Sequence, residues 1–204
     1  MNNPYENKTA IKKSWEFLKK DTWASTFVWL VILTILIRFV LFPALSLITG
    51  SALPIVVVES CSMYHDSDFD SWWERNSAWY ESNDITKEEF EKFPMKNGFT
   101  KGDIIFVWGH SKTKKGDIII FEPENSEAKH PIIHRVVTLA PIGTKGDNNL
   151  RQLTEDNNAQ KIDETKIPEE NIIGQAKLKI PLIGWAKLIF FEYSRSSEQK
   201  GFCG

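Results

Sequence analysis

The chain has 204 residues, 42% of them apolar and 25% charged, with a formal net charge of −2. That length suits one domain with an appendage, the apolar share excludes a largely disordered chain, and the near balance of charge gives no footprint for nucleic acid. Only two cysteines occur, Cys61 and Cys203, without C-x-x-C spacing, so neither a disulfide framework nor a cysteine-built zinc site is expected.

Residues 1–22 form a polar segment with Lys8, Lys12, Lys13, Lys19 and Lys20 against Glu6, Glu16 and Asp21. From Thr22 to Val58 the chain then runs 37 residues with one charge, Arg38. A helix needs about 20 apolar residues to cross a hydrocarbon core about 30 Å thick. Trp23 to Phe42 supplies that length, within a transmembrane anchor placed at 23–49. Arg38 stands four residues before Phe42, where its side chain can snorkel to headgroups, and Pro43 is expected to end or kink the helix. Buried soluble helices are usually shorter, and a cleaved leader has a shorter apolar stretch. Beyond the span, Glu59 to Thr100 holds ten acidic residues against four basic ones, so the lysine excess lies on the amino-terminal side. The expected topology is single-pass in the cell membrane, in contact with lipid. The N-terminus is then cytoplasmic and the remainder extracytoplasmic.

Leu53–Val58 is a β-branched run that reads as a buried strand. Further strands are predicted at Asp103–Trp108, Asp117–Phe121, Ile132–Leu139 and Ile172–Leu178, each bounded by Gly, Pro, Asn or Lys. Lys101-Gly102-Asp103 and Lys115-Gly116-Asp117 are two similar turns feeding similar strands. The spacing predicts a mainly β domain over residues 53–191 built on an antiparallel sheet, not alternating βαβ units. A helical insert interrupts it at 66–94. There Phe69, Trp72, Trp73, Trp79 and Tyr80 recur at helical spacing, followed by Ile85–Phe90 and closed by Pro94. Its aromatic face either packs on the sheet or rests in the membrane interface. Ile180 to Phe191 is apolar but too short to span by helix, and 192–204 reads as a tail.

Three stretches carry reactive groups: Glu59-Ser60-Cys61-Ser62-Met63 after the first strand, Ile133-His134-Arg135-Val136-Val137 within a strand, and Thr144-Lys145-Gly146-Asp147-Asn148-Asn149 on a polar turn. A serine hydroxyl is a poor nucleophile at neutral pH and needs a neighbouring base, which in turn needs a group to orient it. Ser62, His134 and Asp147 are residues of those types. His130 and His134 have the i, i+4 spacing of a helical metal site, but in a strand they stand about 13 Å apart, and no third ligand of defined spacing follows.

In order and flanks, the three stretches resemble the type I signal peptidase family in its archaeal and endoplasmic-reticulum branch. The family pattern runs anchor, Ser-x-Ser-Met, a Gly-Asp strand, His-Arg-Val and Lys-Gly-Asp-Asn. Here it reads Ser60-Cys61-Ser62-Met63, Gly116-Asp117-Ile118, His134-Arg135-Val136 and Lys145-Gly146-Asp147-Asn148, with Ile180–Trp185 similar to the family's closing strand. The resemblance covers about residues 53–185 and implies a serine endopeptidase that cleaves signal peptides from preproteins, without metal or cofactor. It makes Ser62 the nucleophile, His134 the general base and acid, and Asp147 the residue assisting His134. The Ser60 hydroxyl and the Ser62 backbone N–H would form an oxyanion hole. The substrate would lie extended along a sheet edge, its small residues in shallow pockets lined by Val57 and Val58. Companion subunits are left open. Bacterial members place a lysine where His134 stands. A lysine must lose several pKa units to act near neutrality, whereas histidine as a residue type begins near about 6.5.

The chain departs from the family in four places. Cys61 replaces the usual Gly between the serines and is a rival nucleophile. Tyr64-His65 replaces a Pro soon after Met. Gln152 and Leu153 stand where a second Asp often falls, with Glu155 and Asp156 close but out of register. The insert lies outside the shared pattern. The alternative is a catalytically inactive, membrane-anchored binding module of the same fold. A repressor-type self-cleaving peptidase fits less well, since such proteins generally lack an anchor and use lysine.

Overall fold

In the computed structural model, which describes Lys12, residues 15–194 and residues 200–204, the apolar run folds as one helix, α1, over Trp23–Thr49. Residues 1–11, 13 and 14 of the polar segment, and 195–199 of the tail, lie outside the described residues. Thr22 caps α1, its hydroxyl accepting from the Ser25 N–H at 3.3 Å. Apolar side chains on every side leave it no polar face for water, and it is long and apolar enough to cross a membrane. Of the two outcomes expected at Pro43, an end or a kink, the helix does not end there. Ile37–Leu41 widens into a π turn, with the Phe42 N–H reaching the Ile37 carbonyl, which gives the proline ring room against the preceding turn.

The chain divides into two compact units, residues 1–48 and 49–204. The second is built on six antiparallel strands: β1 (Ile55–Val57), β2 (Ile104–Trp108), β3 (Ile118–Phe121), β4 (Ile132–Leu139), β5 (Ile142–Lys145) and β6 (Ile172–Ile180). Their order is β1-β2-β6-β3-β4-β5, so the last strand in sequence fills the centre and β1 is an edge. The two Lys-Gly-Asp turns match as predicted: Gly102 and Gly116 sit at φ +91° and +88°, and Asp103 and Asp117 each accept a backbone N–H three residues back.

Pleat parity assigns the two faces. Ile118, Ile120, Ile133, Arg135 and Val137 share one face, and Ile119, Phe121, Ile132, His134 and Val136 share the other. On the first face, Val58, Met63, Phe99, Ile105 and Val107 pack over Ile118 and Ile120. Helices α2 (Phe69–Glu81) and α3 (Lys87–Phe90) cover Val137 there with Phe69, Trp72, Trp73, Tyr80 and Phe90. The insert's aromatic face is therefore core, with Trp72 1% and Trp73 4% exposed, and not an interfacial belt.

Two local expectations change. Thr144-Lys145 belongs to β5, not to a polar turn, because its side chains find partners inside. Ile180–Trp185 is not a closing strand. β6 ends at Ile180, Pro181 follows it, and Trp185 opens helix α4 (Trp185–Phe191).

Candidate active site

β1 ends at Val57, and the chain then turns back, the Tyr64 N–H donating to the Cys61 carbonyl at 3.1 Å. Ser62 occupies that corner half-buried, while Met63 beside it points into the core. The corner is held from two sides. Asn148 donates its backbone N–H to the Ser62 carbonyl at 2.8 Å and its side-chain amide to the Cys61 carbonyl at 3.1 Å, and the Phe99 N–H donates to the Met63 carbonyl at 2.8 Å.

Ser62 Oγ lies 2.8 Å from His134 Nε2. The Nδ1 of the same ring is hydrogen-bonded to Glu164 Oε1. A carboxylate only accepts, so Nδ1 carries the hydrogen and Nε2 offers its lone pair to the Ser62 hydroxyl. Glu164 is wholly buried and also accepts from Thr144 Oγ1 at 3.0 Å and from the Leu153 N–H at 2.8 Å, which fixes its carboxylate. Ser60 Oγ is 3.1 Å from Ser62 Oγ, within hydrogen-bond distance of it. Gly146 walls the pair closely: a Cβ built there would lie 2.8 Å from both His134 Nε2 and the Ser62 carbonyl oxygen.

Asp147 does not hold the place beside His134 that the sequence suggested. Parity gives the reason. Arg135 pairs with Lys145 across β4 and β5, so both face away from His134, and Asp147, two residues past Lys145, follows them. It accepts from Arg135 Nε at 2.9 Å and Nη2 at 2.7 Å, from His65 Nε2 at 3.0 Å and from the Tyr80 hydroxyl at 3.2 Å. Burial opposes its ionisation, but the Arg135 guanidinium and the His65 hydrogen bond prevail and hold its carboxyl well below the usual carboxylate range. Tyr80 is pushed well above its ordinary value of 10.0 by burial, reinforced by the Asp147 charge.

Lys145 is also interior, 1% exposed, with Nζ donating to the Gly146 carbonyl at 3.1 Å. Burial pulls its pKa down from 10.5 to about 8, against the opposite pull of Asp147 and Glu164. The native state then binds fewer protons than the unfolded chain between those two values, so stability rises with pH there, by at most about 1.4 kcal/mol per unit. Unfolding free energy of the full chain in detergent should climb from about pH 8 to about pH 10, and Lys145→Met should flatten the climb. Equal slopes in the two proteins would refute this.

Two further expectations are corrected. Val58 is 2% exposed and packs with Met63 and Phe99, so it cannot line a substrate pocket; Val57 is half-buried on the edge strand. Cys61 is no rival nucleophile, because it is disulfide-bonded to Cys203 across 142 residues of sequence. Sequence reasoning missed both that bond and Glu164. Ile162-Asp163-Glu164-Thr165-Lys166 carries no sequence signal for Glu164, whose burial beside buried Ile162 shows only in the structure.

Comparison with known proteins gives an independent line. No protein-family model matches the chain. It is 31% identical over 108 residues to the signal peptidase complex catalytic subunit SEC11 of Colletotrichum graminicola, covering 48% of this chain and 60% of that relative. It is 26% identical over 164 residues to the protein of the same name from Fusarium vanettenii, covering 76% and 74%. Against the SEC11 catalytic subunit of Lachancea thermotolerans the identity is 30% over 159 residues, 72% of this chain and 71% of the relative. A match of that extent, reached separately from the Ser62–His134 geometry, means that the chain belongs to the SEC11 family of signal peptidase catalytic subunits, the endoplasmic-reticulum type of type I signal peptidase.

Proposed function

We propose that this chain is a membrane-anchored serine endopeptidase that removes amino-terminal signal peptides from preproteins. Ser62 is the nucleophile, His134 the general base and then acid, and Glu164 the group that orients His134. The observation that carries this reading is the unbroken line from Ser62 Oγ through His134 Nε2 and Nδ1 to Glu164. As Ser62 Oγ attacks the scissile carbonyl carbon, its proton passes to His134 Nε2. The Ser60 hydroxyl and the Ser62 N–H face the oxygen that becomes negative. The tetrahedral adduct collapses, the leaving amine takes the proton from Nε2, and the acyl group stays on Ser62. Water, deprotonated by His134, then releases it.

An extended substrate can add to the sheet at β1, the edge strand next to Ser62, with Val57 touching an alternate side chain. α1 is the anchor, with the N-terminus cytoplasmic. Disulfides persist on the oxidising side of a membrane, so Cys61–Cys203 supports placing residues 49–204 beyond the cytoplasm. The names of the relatives make a signal peptidase complex with companion subunits the expected setting. Membranes carrying the full chain should release mature protein from a preprotein, Ser62→Ala should stop the release and Cys61→Ser should keep it. Undiminished cleavage by Ser62→Ala would end this reading.

A further inference from the structure

His65 and Tyr80 stand behind the site and have no part in the reaction above. His65 is 8% exposed, its ring is stacked on Trp72 with centroids 3.7 Å apart and planes at 4°, and its Nε2 meets Asp147 Oδ2 at 3.0 Å. Asp147 is ionised and can only accept, so His65 carries a hydrogen on Nε2. Tyr80 is wholly buried among Trp72, Trp73 and Phe90, and its hydroxyl donates to Asp147 Oδ1 at 3.2 Å.

Asp147 links these two to both halves of the Ser62–His134 pair. Its carboxylate grips Arg135, the neighbour of His134, by two hydrogen bonds, and the Arg135 guanidinium lies over Phe90 of the insert at 4.7 Å. Its backbone N–H donates to Met63 Sδ at 3.4 Å, and the next residue, Asn148, donates to the Ser62 carbonyl. A carboxylate has about four acceptor sites. Arg135 fills two, and His65 and Tyr80 fill the others. Without them the buried carboxylate is under-satisfied and held by Arg135 from one side only, which loosens the turn carrying Asn148.

We propose that His65 and Tyr80 are positioning residues of the peptidase: acting through Asp147, they fix the turn at residues 146–149 and with it the approach of Ser62 Oγ to His134 Nε2. This rests on the peptidase reading. It gives the aromatic insert a function beyond packing, since α2 supplies both the hydroxyl of Tyr80 and the Trp72 ring on which His65 rests.

The test uses the full chain in membranes, with rates expressed per active site titrated by a serine-directed acylating reagent. Tyr80→Phe removes one oxygen and keeps the ring. His65→Met removes the donor, whereas the side-chain amide in His65→Gln can place an N–H on the same Asp147 oxygen. Tyr80→Phe and His65→Met should each lower kcat about tenfold with KM within about twofold, and His65→Gln should recover most of the rate. A packing role would shift Tm and leave the rate per active site alone. Wild-type kcat in Tyr80→Phe, or equal loss in His65→Gln and His65→Met, overturns the proposal. If the His65 variants do not fold, Tyr80→Phe decides alone. Ser62→Ala serves as the separate control: an inactive Ser62→Ala beside a Tyr80→Phe at full rate rejects the positioning role and leaves the peptidase reading standing.

Discussion

Glu164→Gln should lower kcat by about 10⁴-fold with little change in KM, the loss that follows tautomer reversal in Ser-His-Asp enzymes. The size comes from the three donors around the carboxylate. The Leu153 N–H is fixed backbone and requires an acceptor at Oε2, whereas the Thr144 hydroxyl can rotate to give or take a hydrogen bond. A glutamine therefore settles with its oxygen toward Leu153 and its NH₂ toward His134. That NH₂ donates to Nδ1, the imidazole hydrogen moves to Nε2, and Ser62 faces a donor where it needs a base. Asp147→Asn should behave differently. It leaves Arg135 buried without its anion, and such a loss falls first on stability, by about 3–5 kcal/mol. Steady-state kinetics and Tm on both variants separate the roles. A fully active Glu164→Gln alongside a stable, inactive Asp147→Asn would return the orienting role to Asp147.

The error over Asp147 shows which part of the site a sequence carries. Composition, order and turn residues placed the strands closely: β4 falls on Ile132–Leu139 as predicted, because Pro131 and a Pro141-containing turn bound an apolar, β-branched run. The hydroxyl and the imidazole were legible through the resemblance of Ser60-Cys61-Ser62-Met63 and His134-Arg135-Val136 to the family's motifs, since a lone serine after a strand or a lone histidine within one is a weak signal. Which carboxylate meets the imidazole depends on cross-strand register, and shifting the pairing by one residue would exchange the faces. Arg135 stands opposite Lys145 across the β4–β5 hairpin, but the pairing there shifts register between Val136 and Thr138, and no residue pattern marks either β5 or that shift.

β5 was hidden by the same cause. Ile142-Gly143-Thr144-Lys145 carries only one large apolar side chain, yet all four residues are buried. Thr144 is satisfied by Glu164, 20 residues on, and Lys145 lies over the rings of Trp79 and Tyr80, 66 and 65 residues back. Polar residues look like a solvated turn until the partners that neutralise them are known. Glu164 itself sits in a run of Asp, Glu, Thr and Lys that reads as surface, and its burial follows from the same distant partners.

The Cys61–Cys203 bond lies at the opposite extreme, with two cysteines, no spacing signal and a large expected effect. It closes a loop with a sequence separation of 142 residues, for which chain-entropy arithmetic gives about 5 kcal/mol and measured bonds more often give about 2–4. The tail it secures also has local contacts: the Gly201 N–H donates to Glu192, the Gly201 carbonyl accepts from Lys101, and Phe202 packs on Trp185 at 4.4 Å. The covalent link should dominate over these, and Cys203→Ser should lower Tm by about 10 °C, as should reduction of the wild-type protein. The effect on catalysis should be small below that Tm, because Asn148 and Phe99 still hold the corner at Ser62 from the other sides. Cys61→Ser should therefore cleave at close to the wild-type rate in the cold and fail early on warming. Two free thiols on alkylating the unreduced native protein, or a Tm indifferent to reductant, would show that the bond does not form. A rate lost in Cys61→Ser at low temperature would instead mean that the link holds the nucleophile in place as well as the fold.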